Sequence, residues 1–125
     1  MVSGINASIS GLTASAKRIE VAANNIANQN STKTLENGEA VDKPFVPQRV
    51  DLVTLSNAGV AAKVSDAPNP VVQQPDGEGG LVDSPNVDVA RELVDIKLAS
   101  YDYKANIKAI QVQAKNEESL LNILS

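Results

Sequence analysis

The chain has 125 residues, a formal net charge of −4 and neither cysteine nor histidine. These values allow one domain, remove thiol nucleophiles, disulfides, imidazole bases and most transition-metal sites, and provide no basic footprint for nucleic acid. Aromatic residues make up only 2% of the chain, against 42% for all hydrophobic residues. This composition predicts slender packing of helix on helix, with much apolar surface buried only against neighbouring molecules.

The N-terminal segment carries apolar residues at alternating spacings of four and three, which predicts a coiled-coil-like helix that ends near Asn28. These residues, called here the N-terminal apolar line, are Ile5, Ile9, Leu12, Ala16, Ile19, Ala23 and Ile26. Asn24, Asn25 and Asn28 crowd the end of this helix. Asparagine is a poor residue for a helix interior because its amide competes for backbone hydrogen bonds, so these three positions need an explanation.

The middle of the chain, residues 31–85, holds all six prolines and most of the glycines. Its "VDLVTL" and "GVAAKVSDA" segments predict two short strands, and Ser56 to Gly59, "SNAG", is a suitable hairpin loop between them. The segments "APNP" and "QQPDGEGG" are expected to be loops. The role of the divergent stretch 31–48 is left open by the sequence.

The C-terminal segment repeats the four-three spacing up to the end of the chain, after Asn86 or Asp88 as the helix cap. These residues, the C-terminal apolar line, are Val89, Leu93, Ile96, Ser100, Tyr103, Ile107, Ile110, Ala114, Glu117, Leu121 and Leu124. A second apolar line runs beside it, made of Val94, Leu98, Tyr101, Ala105 and Val112. One helix of the N-terminal length cannot cover both lines, so this helix is expected to contact more than one neighbour.

The predicted fold is therefore mainly α with a small β insert. Long N- and C-terminal helices pair as a coiled coil, with a short β-hairpin and loops between them. Residues 1–30 and 86–125 are expected to form one discontinuous helical domain, and residues 31–85 the hairpin and loop insert.

No pattern in the sequence predicts catalysis, a cofactor or a metal site. A serine nucleophile would need lysine as its base, and no Ser-x-x-Lys lies at a strand–helix junction. The "PDGEGG" stretch lacks the spacing of a calcium loop and the Gly-Lys-Ser/Thr of a phosphate loop. Asp88, Glu92 and Asp95 could pose as paired carboxylates, but acidic residues also favour the first turns of a helix. We also find no secretory signal pattern and no membrane-spanning stretch.

Both ends of the chain resemble flagellar axial proteins, particularly the basal-body rod family. The resemblance lies in "SGLTASAKRIEVAANNIANQNST", with its Asn-Asn-Ile-Ala-Asn run, and in "SPNVDVARELVDIKLASYDYKANIKAIQVQAKNEESLLNIL". The short insert is most similar to that of the proximal-rod members, especially the C-type. "STKTLENGEA" and Phe45-Val46-Pro47 depart from the usual family continuation.

The resemblance implies a structural subunit of the proximal rod, the periplasmic drive shaft of the flagellum, that polymerises through its terminal helices. Its partners would be copies of itself, other rod subunits and the flagellar type III export apparatus, without nucleic acid or membrane insertion. Export would use no cleaved signal, and both termini would order only on assembly. The asparagines would satisfy helix-end groups and bridge subunits. The expected interface residues are Ile5, Ile9, Leu12, Ile19, Asn24, Asn25, Ile26, Asn28, Val89, Leu93, Ile96, Tyr103, Ile107, Ile110, Leu121 and Leu124.

Two other classes of function compete with this interpretation. One is a soluble helical-hairpin adaptor or chaperone of the flagellar export system, which would bind partners without polymerising. The other is an enzyme such as a Ser–Lys hydrolase, which the residues support least.

Overall fold

A computed structural model of the chain describes residues 2–37, 39–56 and 58–124. Helix α1 spans Val2–Ala27 and helix α2 spans Val89–Leu124. Between them lie six strands, β1 (Thr34–Glu36), β2 (Glu39–Val41), β3 (Gln48–Leu55), β4 (Gly59–Asp66), β5 (Val71–Pro75) and β6 (Leu81–Pro85). The prediction of a mainly helical protein with a β insert between two long terminal helices is confirmed.

The start of α2 follows the predicted capping chemistry. The side-chain Oδ1 of Asp88 accepts a hydrogen bond of 3.1 Å from the backbone N–H of Arg91. This bond satisfies one of the N–H groups that a helix leaves unpaired at its first turn. Asp88 is therefore the N-cap, one of the two candidates from the sequence.

The six strands form three antiparallel hairpins, β1–β2, β3–β4 and β5–β6. The predicted hairpin is β3–β4, in which Gln48 pairs with Asp66 and Leu55 with Gly59. Its connection includes Ala58 in the left-handed region, with a φ of 58°; Asn57 of the predicted turn lies outside the described residues.

The prediction of a single hairpin is wrong for two reasons. The stretch 31–48 was left without an assignment, and it contains the β1–β2 hairpin. The segment "QQPDGEGG" was treated as loop throughout. Gln73, Gln74 and Pro75 belong to β5, and only residues 76–80 connect β5 to β6. The stretch carries no alternation of apolar and polar residues, so its pairing with Leu81–Pro85 had no periodic signal.

The core is made of small side chains. The buried apolar residues of the two helices are Ala14, Val21, Ala22 and Ala99, and the insert adds the buried prolines Pro44, Pro47 and Pro85. The buried polar side chains are Ser15, Asn25 and Ser84. Small side chains allow the helix backbones to approach closely but remove little apolar area from water. Neither described helix is long and apolar enough to cross a membrane.

Candidate assembly surface

The two helices contact each other through residues that are spaced seven apart on each helix. A Cβ atom added to Gly4 would lie 2.9 Å from Oε1 of Gln113, and one added to Gly11 would lie 2.7 Å from Nδ2 of Asn106. A residue late in α2 therefore faces one early in α1, and the helices are antiparallel. We call this meeting line the contact line; it consists of Gly4, Gly11, Arg18 and Asn25 on α1 and Gln113, Asn106, Ala99 and Glu92 on α2.

Arg18 is the charged residue at the centre of the contact line. Its Nη1 lies 3.0 Å from Oδ2 of Asp102, and its Nη2 lies 3.3 Å from Oδ1 of Asp95. The arginine side chain is only 17% exposed, whereas both carboxylates remain about half exposed. Asp95 and Asp102 lie on either side of Ala99, which is fully buried. The small alanine thus lies on the turn of α2 that the guanidinium spans.

Asn25, at the end of the contact line, joins three elements of the fold. Its Nδ2 donates to the backbone oxygen of Gln48 at 2.7 Å and to Oε1 of Glu92 at 2.9 Å. Its Oδ1 accepts from the backbone N–H of Gln48 at 2.9 Å. With both amide hydrogens and the oxygen engaged, Asn25 is 1% exposed without an unsatisfied polar atom. This asparagine therefore connects α1, β3 and α2.

A second polar contact fixes the β3–β4 hairpin at the other end of α1. Ser10 Oγ donates to the backbone oxygen of Ala7 at 2.7 Å and accepts from the N–H of Val60 at 3.1 Å. A Cβ at Gly59 would lie 2.7 Å from this hydroxyl, so the turn comes very close to the helix. The Ser10 and Asn25 contacts hold the hairpin lengthwise along α1.

The other two asparagines complete the end of α1. The side-chain Nδ2 of Asn28 donates to both the backbone oxygen and Oδ1 of Asn24, each at 2.9 Å. The backbone N–H of Asn28 also donates to the Asn24 oxygen, at 3.1 Å. Backbone carbonyls at the end of a helix often lack partners within it, and here the Asn28 side chain and backbone both donate to the carbonyl oxygen of Asn24. Asn24 is exposed and Asn28 is half-buried, so Asn25 alone of the three faces the interior.

The N-terminal apolar line lies on a different face of α1 from the contact line. Four members of this line each follow a contact-line residue by one position, which places them about 100° around the helix axis from the contact line. They are Ile5, Leu12, Ile19 and Ile26. Ser10 precedes Gly11 by one position and contacts the hairpin, on the opposite side. The apolar line is consequently centred about 100° from the contact line, on the side of α1 away from the Ser10 contact. Ile9 is 49% exposed, and the other four isoleucines and leucines are half-buried.

The C-terminal apolar line is also largely uncovered. Val89, Ile96 and Ile110 are half-buried beside the contact line. The large exposed members are Leu93, Tyr103, Ile107, Leu121 and Leu124, and Ala114 is exposed as well. The second line is exposed as well at Val94, Leu98, Tyr101 and Val112.

The last turns of α2 extend beyond α1. Gly4 faces Gln113, and α2 continues from there to Leu124, about 16 Å further along the helix axis. Helix α1 begins at Val2, so it cannot cover this extension. Leu121 is 68% exposed and Leu124 is 84% exposed, and Leu120 and Ile123 beside them are exposed too. A row of four large aliphatic residues therefore has no partner within the described chain.

The acidic side chains near the start of α2 form contacts within the fold. Asp88 caps the helix, Asp95 binds Arg18 and Glu92 accepts from Asn25. Burial raises the pKa of the Glu92 carboxyl, although the hydrogen bond from Asn25 opposes that change. Within residues 2–37, 39–56 and 58–124, no three His, Cys, Asp or Glu side chains are grouped as a metal site.

The sequence patterns located the long apolar lines but missed the contact line. Its residues are glycine, arginine, asparagine, alanine, glutamine and glutamate, which no hydrophobic periodicity detects. A signal was nevertheless present, because Gly4, Gly11, Arg18 and Asn25 recur every seven residues. Such spacing places residues on one helix face whatever their polarity.

Comparison with known proteins identifies the class to which this architecture belongs. Residues 5–33, which contain most of α1 and its asparagine-rich end, match the family model "Flagella basal body rod protein". The chain belongs to this family of flagellar basal-body rod proteins, as its N- and C-terminal sequences predicted.

The similar relatives are all named "Flagellar basal-body rod protein FlgC". That of Salmonella typhimurium is 37% identical over 109 residues, covering 81% of each chain. That of Bacillus subtilis is 31% identical over 134 residues, covering 85% of this chain and 86% of its own. That of Borreliella burgdorferi is 30% identical over 148 residues, covering 99% of this chain and 97% of its own.

Proposed function

We propose that this chain, as a structural subunit of the flagellar basal-body rod, polymerises through the apolar lines of α1 and α2. The observation that supports this most strongly is that the helix pair has small and polar side chains between the helices and large aliphatic side chains on its outer surface. Small and polar residues such as Gly11, Asn25 and Ala99 lie between the helices, while Ile9 and Leu121 lie outside. Water-soluble monomers rarely leave such continuous aliphatic surface uncovered.

The free energy available from this surface is large relative to that of the helix pair itself. Burying one Leu or Ile side chain contributes about 1.5–3 kcal/mol. The exposed end of α2 offers four such residues, Leu120, Leu121, Ile123 and Leu124. The core between the helices consists mainly of alanines and one valine. Assembly would therefore bury more large aliphatic side chains than folding does.

In the rod, the two helices act as one discontinuous coiled-coil domain, residues 1–30 with 86–125. Residues 31–85 form an insert held against α1 by the Ser10 and Asn25 contacts. Asn24, which is exposed, and Asn28, which is half-buried, already bond each other, and their amides can also contact a neighbouring subunit. The partners are copies of this chain and other rod subunits.

The place of action is the periplasmic rod, reached through the flagellar type III export apparatus. Export in an unfolded state suits a chain without cysteine. It also suits terminal helices whose apolar lines are covered only after assembly, and both termini are expected to order at that stage. Hydrogen exchange tests this point: protection of residues 5–26 in a dilute monomer would contradict it.

The alternative is a helical-hairpin adaptor or chaperone of the export system. It would also expose apolar helix faces, but it would remain a stable monomer or dimer with cooperative melting. Membership of a family of rod proteins favours the structural subunit over this adaptor and over an enzyme.

The deciding experiment is to tag the protein, purify intact basal bodies and quantify it by mass spectrometry. Several copies per basal body are expected for a rod subunit. If the protein is absent from basal bodies and remains in the cytoplasm, the rod proposal fails and the adaptor is favoured.

A residue-level experiment tests the apolar lines themselves. Ile9→Ser and Leu121→Ser remove exposed aliphatic surface on α1 and α2, so both are expected to impair incorporation into basal bodies and motility. Lys63→Ser is the matched control, because Lys63 is exposed on β4 away from both lines. Normal motility in the Ile9→Ser, Leu121→Ser double variant would contradict assembly through these lines.

A further inference from the structure

The contact line matches large side chains on one helix with small residues on the other. Gly4 and Gly11 face the long amides Gln113 and Asn106. Arg18 lies across the turn that carries Ala99, which is fully buried. The fourth layer joins Asn25 and Glu92 by a hydrogen bond. Because the layers recur every seven residues on both helices, a shift of one heptad would bring the same faces together again.

Arg18 cannot by itself distinguish the observed register from a shifted one. Its partners Asp95 and Asp102 are seven residues apart, and Asp88 lies seven residues before Asp95. If α2 moved by one heptad toward the N-terminus of α1, Asp88 and Asp95 would take the places of Asp95 and Asp102. Arg18 would again lie between two carboxylates, that of Asp88 at the helix cap and that of Asp95 one heptad later.

Glu92 is the residue that differs between the two registers. In the shifted register it would occupy the place of Ala99, where the full burial of a single methyl group leaves no space for a glutamate. Asn25 would also lose Glu92 as the acceptor of one amide hydrogen. We propose that Glu92, through its bond to Asn25 and its bulk, selects the register of the α1–α2 pair.

A cleft adjoins the segment that leads into α2. It has a volume of about 540 Å³ and is lined by Arg18 and Glu92 and also by Pro68, Asn86 and Asp88. These last three residues belong to the segments that lead into and out of the β5–β6 hairpin. The register sets how the apolar lines of the two helices are aligned. The inference rests on contacts within the ordered helix pair, whether that pair orders in the free chain or, as proposed above, on assembly.

Disulfide trapping in the full chain distinguishes the registers, because the chain has no cysteine of its own. The pair Gly11→Cys with Asn106→Cys reports the observed register, in which the two side chains are in contact. The pair Gly11→Cys with Ala99→Cys reports the shifted register. In the observed register these two positions are one heptad apart, about 10 Å along the helix, which exceeds disulfide reach. Oxidation is run with trimethylamine N-oxide, which favours the compact state.

In the parent background, only the first cysteine pair is expected to form an intramolecular disulfide. Glu92→Ala should allow the second pair to form as well. Glu92→Gln is the matched control, because glutamine keeps both the bulk and the acceptor oxygen, and it should behave like the parent. Adding Asp88→Asn to Glu92→Ala should suppress the second disulfide, since asparagine keeps the helix cap but removes a charge that Arg18 needs in the shifted register.

Two results would overturn the proposal. The first is a Glu92→Ala chain that forms the second disulfide no more than the parent does, while the first disulfide still forms in both. The second is failure of the first pair to form in the parent, which would remove the register on which the proposal depends. Peptide mapping separates intramolecular disulfides from those between chains.

Discussion

Asn25 of α1 and Glu92 of α2 share a hydrogen bond of 2.9 Å, and the same asparagine side chain binds both backbone groups of Gln48 in β3. One amide therefore connects the two helices and the β insert. This relationship explains why an asparagine lies within the last turns of a helix. Its amide takes partners outside the helix rather than competing for the helix's own backbone groups.

Asn25→Ala is expected to lower the free energy of unfolding by about 2–4 kcal/mol. The substitution leaves the backbone N–H and oxygen of Gln48 without their partner, and an unsatisfied buried group costs about 1–3 kcal/mol. Thermal unfolding followed by circular dichroism measures the change, with trimethylamine N-oxide present so that the helix pair is ordered in the free chain. Asn24→Ala is the control, because Asn24 is exposed, and it should cost about 0.5 kcal/mol or less. Equal losses at both positions would show that Asn25 does not join the three elements.

Arg18→Met is expected to destabilise the helix pair by about 1 kcal/mol at low ionic strength. Methionine keeps an apolar stem in the contact line but removes the charge that binds Asp95 and Asp102. Both carboxylates are about half exposed, so they regain water and the cost stays modest. The difference from the parent should shrink in high salt, where exposed ion pairs are screened. A salt-independent loss would point to packing instead of charge.

Glu92→Gln is expected to stabilise the protein at neutral pH and to have little effect near pH 4. Burial raises the pKa of Glu92 in the folded chain above its ordinary value of 4.5. The folded state thus binds its proton more tightly than the unfolded state, and stability is lost as the pH rises through the raised pKa. Glutamine keeps the acceptor for Asn25 without this loss. Unfolding measured at both pH values checks the sign, and a variant less stable than the parent at pH 7 would contradict it.

Asp76→Asn should have the opposite pH dependence. The backbone N–H groups of Glu78 and Gly80 each donate to Asp76 Oδ1 at 2.8 Å, and they lower the pKa of this carboxyl below its ordinary value of 3.8. Its stabilising contribution is present at neutral pH and is lost as the pH falls through the lowered pKa. Asparagine should therefore weaken the β5–β6 connection at pH 7 and match the parent at strongly acidic pH. Hydrogen exchange of Gly80 follows this local effect.

The close approach of the helices at Gly11 can be tested by a double-mutant cycle. Alanine is favoured over glycine in a helix by about 1 kcal/mol, but a Cβ here would lie 2.7 Å from Nδ2 of Asn106. Gly11→Ala should therefore gain little in the parent and the full propensity difference in an Asn106→Ala background. The coupling from denaturation measures the contact. Additive changes would mean that Asn106 moves aside freely.

The sequence located the helices and the central hairpin well because their signals are local. Four-three spacing predicted both helices, Asp88 supplied the cap, and alternation in β4 identified one hairpin. The β1–β2 and β5–β6 pairs were missed because their pairing depends on contacts between segments without periodic patterns. Interpretation of the apolar lines as assembly surfaces stays a prediction.

By itself the sequence determined the class of protein, the two long amphipathic helices and the asparagine-rich end that identifies the rod family. The tertiary structure decided which helix faces meet. Hydrophobic periodicity identifies a surface to be buried but does not say whether the partner lies in the same chain. The contacts between the helices depend on complementary size and charge across both of them. They are Gly11 against Asn106, Arg18 between Asp95 and Asp102, and Asn25 with Glu92. The residues of these pairs are at least 67 positions apart in the sequence, so they meet only in the folded chain. Their contacts leave the large aliphatic residues on its outer surface.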